Sequence, residues 1–165
     1  MRLYHGSTFV VKEPNLELLK NKTDFGKGFY TTTNLEQAQK WVEIKKKRLL
    51  DQGYSKNIEK YINVYEYTEN ANLNILDFKE ATEEWLKFVF MNRLSDELVH
   101  EFDIVKGPVA NDNLYRVLLR YEDGVYTIEE TIRRLKTYLL ADQISFHTKN
   151  ALDCLRYIET IKVEG

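Results

Sequence analysis

Three short segments of the 165-residue chain carry side chains that could do chemistry. The first is Leu3-Tyr4-His5-Gly6-Ser7, in which a histidine ends a strand-like run and a glycine follows it. Without a Cβ, Gly6 lets a ligand approach the backbone closely. The second runs from Asp24 to Thr32. Gly26 and Gly28 bracket Lys27 and lead straight into a β-prone stretch that carries Tyr30 and Thr32. The third runs from Asp142 to Thr148, with Gln143 at the entrance of an alternating strand and Ser145 and His147 on the same side. An imidazole, a phenol and a side-chain amide offer hydrogen bonds and a flat stacking face. Taken singly, each segment also fits a structural role, because Gly-x-Gly turns commonly precede strands.

Other chemistries are absent from the sequence. Histidines stand only at 5, 100 and 147, with no HxxxH spacing, and Cys154 is the single cysteine. That pattern offers no zinc site and no internal disulfide. There is no GxSxG, no Walker A motif and no GxGxxG. The spacing places Cys154 on the inward side of a helix, as a core thiol.

Composition narrows the class further. Hydrophobic residues make up 43% and charged residues 30%, the balance of a globular chain. The length fits one domain over 1–165. The net charge of -2 gives no basic field for charge-driven nucleic-acid binding. No apolar run reaches the roughly 18–20 residues of a membrane span, and the N-terminus lacks a signal-like apolar stretch. The expectation is a protein of the reducing cytoplasm without a membrane partner. The 11 tyrosines, 8 phenylalanines and 2 tryptophans can supply stacking faces as well as core.

The elements that must position these residues follow from periodicity and capping. Residues 2–5 and 28–33 read as strands, with a brief helical stretch at Asn15–Leu19 between them. Asn34 with Gln37 forms a capping box. It opens a helix whose inward stripe is Leu35, Ala38, Trp41, Val42 and Leu49. Lys45-Lys46-Lys47-Arg48 reads as the solvated end of that helix, where cations suit the dipole, or as a surface for an acidic partner. Residues 62–67 and 73–78 read as strands. A helix over 82–98 turns Trp85, Leu86, Val89, Phe90, Leu94 and Leu98 inward. A strand at 102–105 stops at Gly107-Pro108. Helices follow over Asp112–Tyr121, with Asp112 as N-cap, and from Thr127, with Ile132, Leu135 and Leu139 inward. After a strand at 143–147, a last helix from Thr148 buries Ala151, Leu155, Ile158 and Ile161. This order is not a regular βαβ alternation, so it predicts an α+β domain with a split antiparallel sheet.

The three segments together resemble the NAD site of ADP-ribosyltransferases of the diphtheria-toxin and poly(ADP-ribose) polymerase type. Phe25-Gly26-Lys27-Gly28-Phe29-Tyr30 is similar to the polymerases' phenylalanine-glycine-lysine-glycine-isoleucine-tyrosine segment, and the order and wide spacing of all three segments match. The whole chain looks closer still to a small bacterial family of that superfamily, long described as a domain of unknown function. Its hallmarks here include Asp103 to Asp112 and Gln143 to Leu152.

The resemblance implies the ADP-ribosyltransferase fold: a split, mostly antiparallel sheet with surrounding helices and an NAD cleft. It implies that NAD is the substrate and that no metal is needed. His5 would bond the adenosine-side ribose hydroxyls, and Gly6 would offer its N–H and C=O to the nicotinamide carboxamide. Tyr30 would stack on the cationic ring, a contact worth about 0.5–2 kcal/mol. Ser7, Gly28 and Thr32 complete the binding set. The second stacking aromatic of the polymerases corresponds to Trp41, which either closes a sandwich with Tyr30 or is helix–sheet core. Their carboxamide-binding serine corresponds to Ala38. Gln143 stands where the polymerases carry a glutamate. An amide can hold a ribose hydroxyl but brings no charge to an oxocarbenium-like transition state, at a cost of about 10²–10³ in rate.

The implied function is an NAD-dependent mono-ADP-ribosyltransferase with catalytic residues His5, Tyr30 and Gln143. A role as a bacterial toxin-type effector with a cognate antitoxin is implied by resemblance alone. The alternatives are an NAD glycohydrolase, and a weak or inactive module that binds NAD, ADP-ribose or a protein partner. The acceptor, macromolecular or small, is not specified. Asp142 and Glu101 could supply a carboxylate from beside the site, although the sequence does not place them there. His147 either reaches the pocket floor or caps the last helix. Asp103 and Asn111 belong to a segment that could meet the acceptor.

Overall fold

The structure is a computed structural model that describes residues 1–19, 22–110, 112–135 and 141–165, with only the backbone for 112–115. Among the described residues seven strands form two sheets. In chain order they are β1 (Arg2–Ser7), β2 (Phe29–Thr31), β3 (Tyr61–Tyr67), β4 (Ile75–Asp77), β5 (Ile104–Pro108), β6 (Asp142–Phe146) and β7 (Leu155–Lys162). The helices are α1 (Leu35–Asp51), α2 (Glu83–Arg93), α3 (Asp112–Glu122), α4 (Ile128–Leu135) and α5 (Lys149–Leu152), with a single 3-10 turn at Leu16–Leu18.

One sheet has the order β1-β3-β7 and is antiparallel throughout. The other has the order β2-β6-β5-β4. There β2 and β5 both run antiparallel to β6, while β4 and β5 are parallel and joined through α2. A β-bridge between Tyr4 and Thr32 joins the sheets, with N–H to O distances of 2.9 and 3.0 Å. The expected α+β architecture with a split, mostly antiparallel sheet is present.

Alternation decides what each face of the second sheet meets. Phe29, Ile144, Phe146 and Ile104 face one buried cluster together with Leu3, Tyr65 and Tyr67. Ser145, Val105 and Tyr30 face the other way, toward Phe25 and the α2 residues Trp85, Leu86 and Val89. Helix α1 covers the first sheet through Ala38 and Val42, against Ile62 and Val64. Its start shows half of the expected capping box: Asn34 Oδ1 accepts the Gln37 N–H at 3.0 Å, but the Asn34 N–H goes to Thr32 Oγ1 at 3.1 Å and not to the Gln37 side chain. Thr127 caps α4 in the same way, accepting the Glu130 N–H at 3.1 Å.

Several expectations need correction. The last helix is only Lys149–Leu152, and the chain then forms strand β7 along β3. A register shift between Val64 and Tyr65 leaves Ile158 as the extra residue of a bulge. Tyr157 therefore packs into one cluster and Ile158 into another, which mimics a helical stripe in the sequence. Helix α2 stops at Arg93, leaving Leu94 and Leu98 exposed, and Leu35 at the start of α1 is also exposed. Gly107 and Pro108 extend β5 instead of ending it, pairing with Gln143 and Asp142. Helix α3 begins at Asp112 itself, so its cap position, Asn111, lies outside the described residues, as does Leu139. Cys154 is buried, as expected of a core thiol, but at the turn before β7. Among the described residues no helix is long and apolar enough to cross a membrane.

Gly6 sets how closely α1 lies on β1. A Cβ built there would sit 2.3 Å from the Ala38 carbonyl oxygen, a backbone atom that cannot step aside alone. Gly6→Ala is expected to lower unfolding stability by about 1–3 kcal/mol, measured by urea denaturation. An unchanged midpoint would contradict this packing.

Candidate functional site at the junction of the two sheets

The three chemical segments meet where the sheets join. Strand β1 delivers His5 and β2 delivers Tyr30. His5 Nδ1 lies 2.7 Å from the Tyr30 carbonyl oxygen, so it is the protonated nitrogen and Nε2 carries the lone pair. Tyr30 pairs with Ser145 on β6, and Gln143 lies two residues along the same face. His5, Tyr30 and Gln143, although 138 positions separate the first from the last, thus occupy one corner.

Gln143 is buried. Its Nε2 donates to Asp24 Oδ2 at 2.8 Å and to the Pro108 carbonyl at 3.1 Å. Both partners are acceptors, so the amide nitrogen must face them. Oε1 accepts no bond from a described residue, and it is not among the atoms sealed from solvent without a partner.

Asp24 is the residue that motif reading passes over. Its carboxylate is buried and takes four donors: Arg93 Nε at 2.8 Å, Arg93 Nη2, the Ala110 N–H at 2.8 Å and Gln143 Nε2. Arg93 also donates to the Ala110 carbonyl at 3.0 Å. Trp85 Nε1 shares the Pro108 carbonyl with Gln143. One carboxylate thus joins the loop before β2, helix α2, the end of β5 and the start of β6. The sequence signal is an acid beside Phe25-Gly26, with nothing to say that its arginine lies 69 residues away.

The loop from Thr23 to Gly28 is held by its carbonyls. His100 Nε2 lies 2.7 Å from the Phe25 oxygen, and the Tyr30 hydroxyl donates to the Gly26 oxygen at 2.6 Å. His147 Nδ1 lies 2.7 Å from the Lys27 oxygen. The Tyr30 hydroxyl also accepts the Phe25 N–H at 2.9 Å. Burial pushes its pKa up, so it stays a neutral donor. Gly26 has φ +86°, where a side chain would be strained. Gly28 leaves room for the His147 ring, because a Cβ there would lie 2.6 Å from Nδ1.

The remaining sequence candidates fall into place around this corner. Gly6 O accepts the Lys45 ammonium at 2.6 Å. Lys45 is therefore engaged with the site and is no part of a merely solvated helix end, and the Gly6 carbonyl carries a cation. Ser7 is buried and its hydroxyl accepts the Phe9 N–H at 3.2 Å, turning the chain out of β1. Thr32 is buried and donates to Asp142 Oδ1 at 3.0 Å. Asp142 also binds the Thr33 hydroxyl at 2.8 Å, so this carboxylate braces the β2–α1 connection. Trp41 is half-buried on α1, four residues before Lys45 and three after Ala38. It makes no ring contact with a described residue, so neither the sandwich with Tyr30 nor membership of a core cluster is seen. His147 is buried and bound at both nitrogens, with Ser145 Oγ 2.7 Å from Nε2. The cap of α5 is Thr148 itself. Asp103 accepts from Thr148 at 2.6 Å and from the Asn74 N–H at 2.9 Å, a brace between β4, β5 and α5. Glu101 is exposed. Among the described residues no group of three or more His, Cys, Asp or Glu could hold a metal ion.

The histidines at the corner are uncharged, while the Lys45 ammonium sits on the Gly6 carbonyl. Burial first, and then the Lys45 charge, lower the pKa of His5 from 6.5 to about 3, against the bond to Tyr30. Burial lowers that of His147 to about 4. Both imidazoles are uncharged in the fold and charge in the unfolded chain below about pH 6.5. Stability is therefore full above about pH 6.5 and falls as the pH drops toward about 4. A His147→Gln variant should flatten part of this fall in melting temperature. Parallel curves for variant and wild type would contradict the burial of a neutral His147.

Comparison with known proteins gives the family. No curated protein matches the chain. The model of the family described as "Protein of unknown function (DUF3990)" matches residues 1–157. The match takes in His5, Asp24, Tyr30 and Gln143 alike, and the chain belongs to the DUF3990 family.

Proposed function

We propose that the protein is an NAD-dependent mono-ADP-ribosyltransferase whose site is the corner formed by His5, Tyr30 and Gln143. The observation that supports this reading is the convergence itself. The three segments that resemble an NAD site come from β1, β2 and β6, and the His5–Tyr30 bond and the β2–β6 register bring them side by side.

In this reading His5 Nε2 accepts a ribose hydroxyl, and its neutrality spares the positively charged nicotinamide a second cation. The Tyr30 ring, fixed through its hydroxyl, offers a face to that nicotinamide. Gln143 Oε1 accepts a hydroxyl of the other ribose. Transfer breaks the bond between ribose C1′ and the nicotinamide nitrogen, whose electron pair leaves with neutral nicotinamide. C1′ then bonds to an acceptor nucleophile, which gives up its proton to solvent. Ser7, Gly28 and Thr32 shape the walls, and Trp41 closes over the ring from α1. Lys45 must share the Gly6 carbonyl with the carboxamide or move aside.

Gln143 favours slow turnover, because no carboxylate stabilises the developing charge and Asp24 is already saturated by four donors. The same observation favours, as the second reading, a module that binds NAD or ADP-ribose without turnover. The toxin-type role, an antitoxin partner and a cytoplasmic place remain part of the proposal through resemblance.

Incubation with labelled NAD, alone and with cell lysate, tests the first reading by following nicotinamide release and label transfer. Label on a macromolecule, lost in a His5→Ala variant that melts like wild type, is the expected result. A Trp41→Ala variant should weaken NAD binding several-fold, in line with about 0.5–2 kcal/mol for one aromatic face. Nicotinamide release without transfer would make the protein a glycohydrolase, and absence of both would leave only binding.

A further inference from the structure

We infer that Asp24 is the positioning residue of this site: it claims the Gln143 amide nitrogen, fixes the amide oxygen as the free acceptor, and makes position 143 a place for a neutral side chain and not for a carboxylate. The inference rests on the NAD reading only for what the free oxygen meets.

The geometry leaves little choice. Gln143 Nε2 faces Asp24 Oδ2 at 2.8 Å and the Pro108 carbonyl at 3.1 Å. An amide turned the other way would set its oxygen against two acceptors. Asp24 cannot turn away, because Arg93 and the Ala110 N–H hold both its oxygens. A glutamate at this position would present one carboxylate to another across the same 2.8 Å, in a buried position. It would also lose the only donor to Asp24 that comes from β6. Like charges that close cannot both ionise, and the side chain with the weaker cationic support takes the proton. That side chain is the one on β6, since Arg93 is bound to Asp24.

The charged and titratable groups around the amide, among the described residues, come from every neighbouring element. Asp24 lies in the loop and Arg93 on α2. Tyr30 stands on β2, and Asp142 and His147 stand on β6 and just past its end. Strand β5 contributes the Pro108 carbonyl. Asp142 lies next to Gln143 in the chain but spends its oxygens on Thr32 and Thr33, and Tyr30 and His147 are neutral. Among the described residues the only cation joined to the pair is Arg93, which balances one carboxylate and not two.

The consequence is a site that keeps the acceptor of one built around a free glutamate but lacks its charge. Its catalytic-strand residue can accept a hydroxyl proton in a hydrogen bond but offers no charge, and the cause is a residue 119 positions away.

Thermal melting of Gln143→Glu against wild type, from about pH 4.5 to about pH 8, tests this. The carboxyl introduced by this substitution would have its folded pKa raised above its unfolded value. The variant should therefore come nearest to wild type at the acid end, where the protonated acid keeps the bond to Asp24 and loses only the one to the Pro108 carbonyl. It should fall behind as the pH rises, by at least about 3 °C at neutral pH. Asp24→Asn combined with Gln143→Glu restores the net charge, so the pH-dependent gap should close. A gap independent of pH, or one that persists in the double variant, would overturn the inference. So would failure of both variants to fold at any pH. Equilibrium dialysis of labelled NAD against wild type reads the NAD proposal separately. Absence of binding there would remove NAD as the ligand, while the melting curves still decide the role of Asp24.

Discussion

The Asp24 carboxylate is the constraint on which the site depends. Four hydrogen bonds converge on two oxygens, from a guanidinium, a backbone amide and a side-chain amide. A buried carboxylate of this kind is costly to dehydrate, and its pairing with Arg93 roughly offsets that cost without large net gain. What it contributes is position. The 22–28 loop has little regular structure, yet it carries Phe25 into the core and sets the approach to β2. Asp24 anchors it at one end, while His100, Tyr30 and His147 hold three successive carbonyls. Substituting any one of these groups would leave a polar partner unmet, so each substitution costs stability.

The same arrangement explains the electrostatics of the corner. Each histidine has its Nδ1 or Nε2 committed to a backbone oxygen, and burial keeps the rings uncharged. The Tyr30 hydroxyl is held neutral for the same reason. Three sets of full charges touch the site residues, Asp24 with Arg93, Asp142 on Thr32 and Thr33, and the Lys45 ammonium on Gly6, and all are bound to protein groups. In the proposed site, what is left for a ligand is lone pairs and ring faces. Such a surface suits hydroxyls and a delocalised cation better than a reaction that needs a strong base.

Much of this is legible in the sequence, and the failures are informative. Capping residues Asn34, Thr127 and Thr148 mark helix starts correctly because a cap is a local bond between residues three apart. The three segments stand out through glycines beside histidine and tyrosine, and the fold brings them to one corner. Strand β7 reads as a helix because a bulge at Ile158 shifts the alternation and produces apolar spacings of three and four. Leu94 and Leu98 fit a helical stripe, yet α2 ends before them. Asp24 and Arg93 cannot be paired from one sequence, since the partners of a buried ion pair are fixed by tertiary packing. Lys45 looks like one cation in a run, and only the close approach of α1 to Gly6 gives it a partner on β1.

The central claim is that this braced, neutral corner holds NAD, and the melting temperature of the full chain as a function of NAD concentration tests it most directly. A ligand that binds only the folded state at about 100 times its dissociation constant adds about 2.7 kcal/mol. For a chain of this size that is a rise of about 5–10 °C. The account predicts such a rise in the wild type and its loss in His5→Ala. A melting temperature that does not move at millimolar NAD would contradict it.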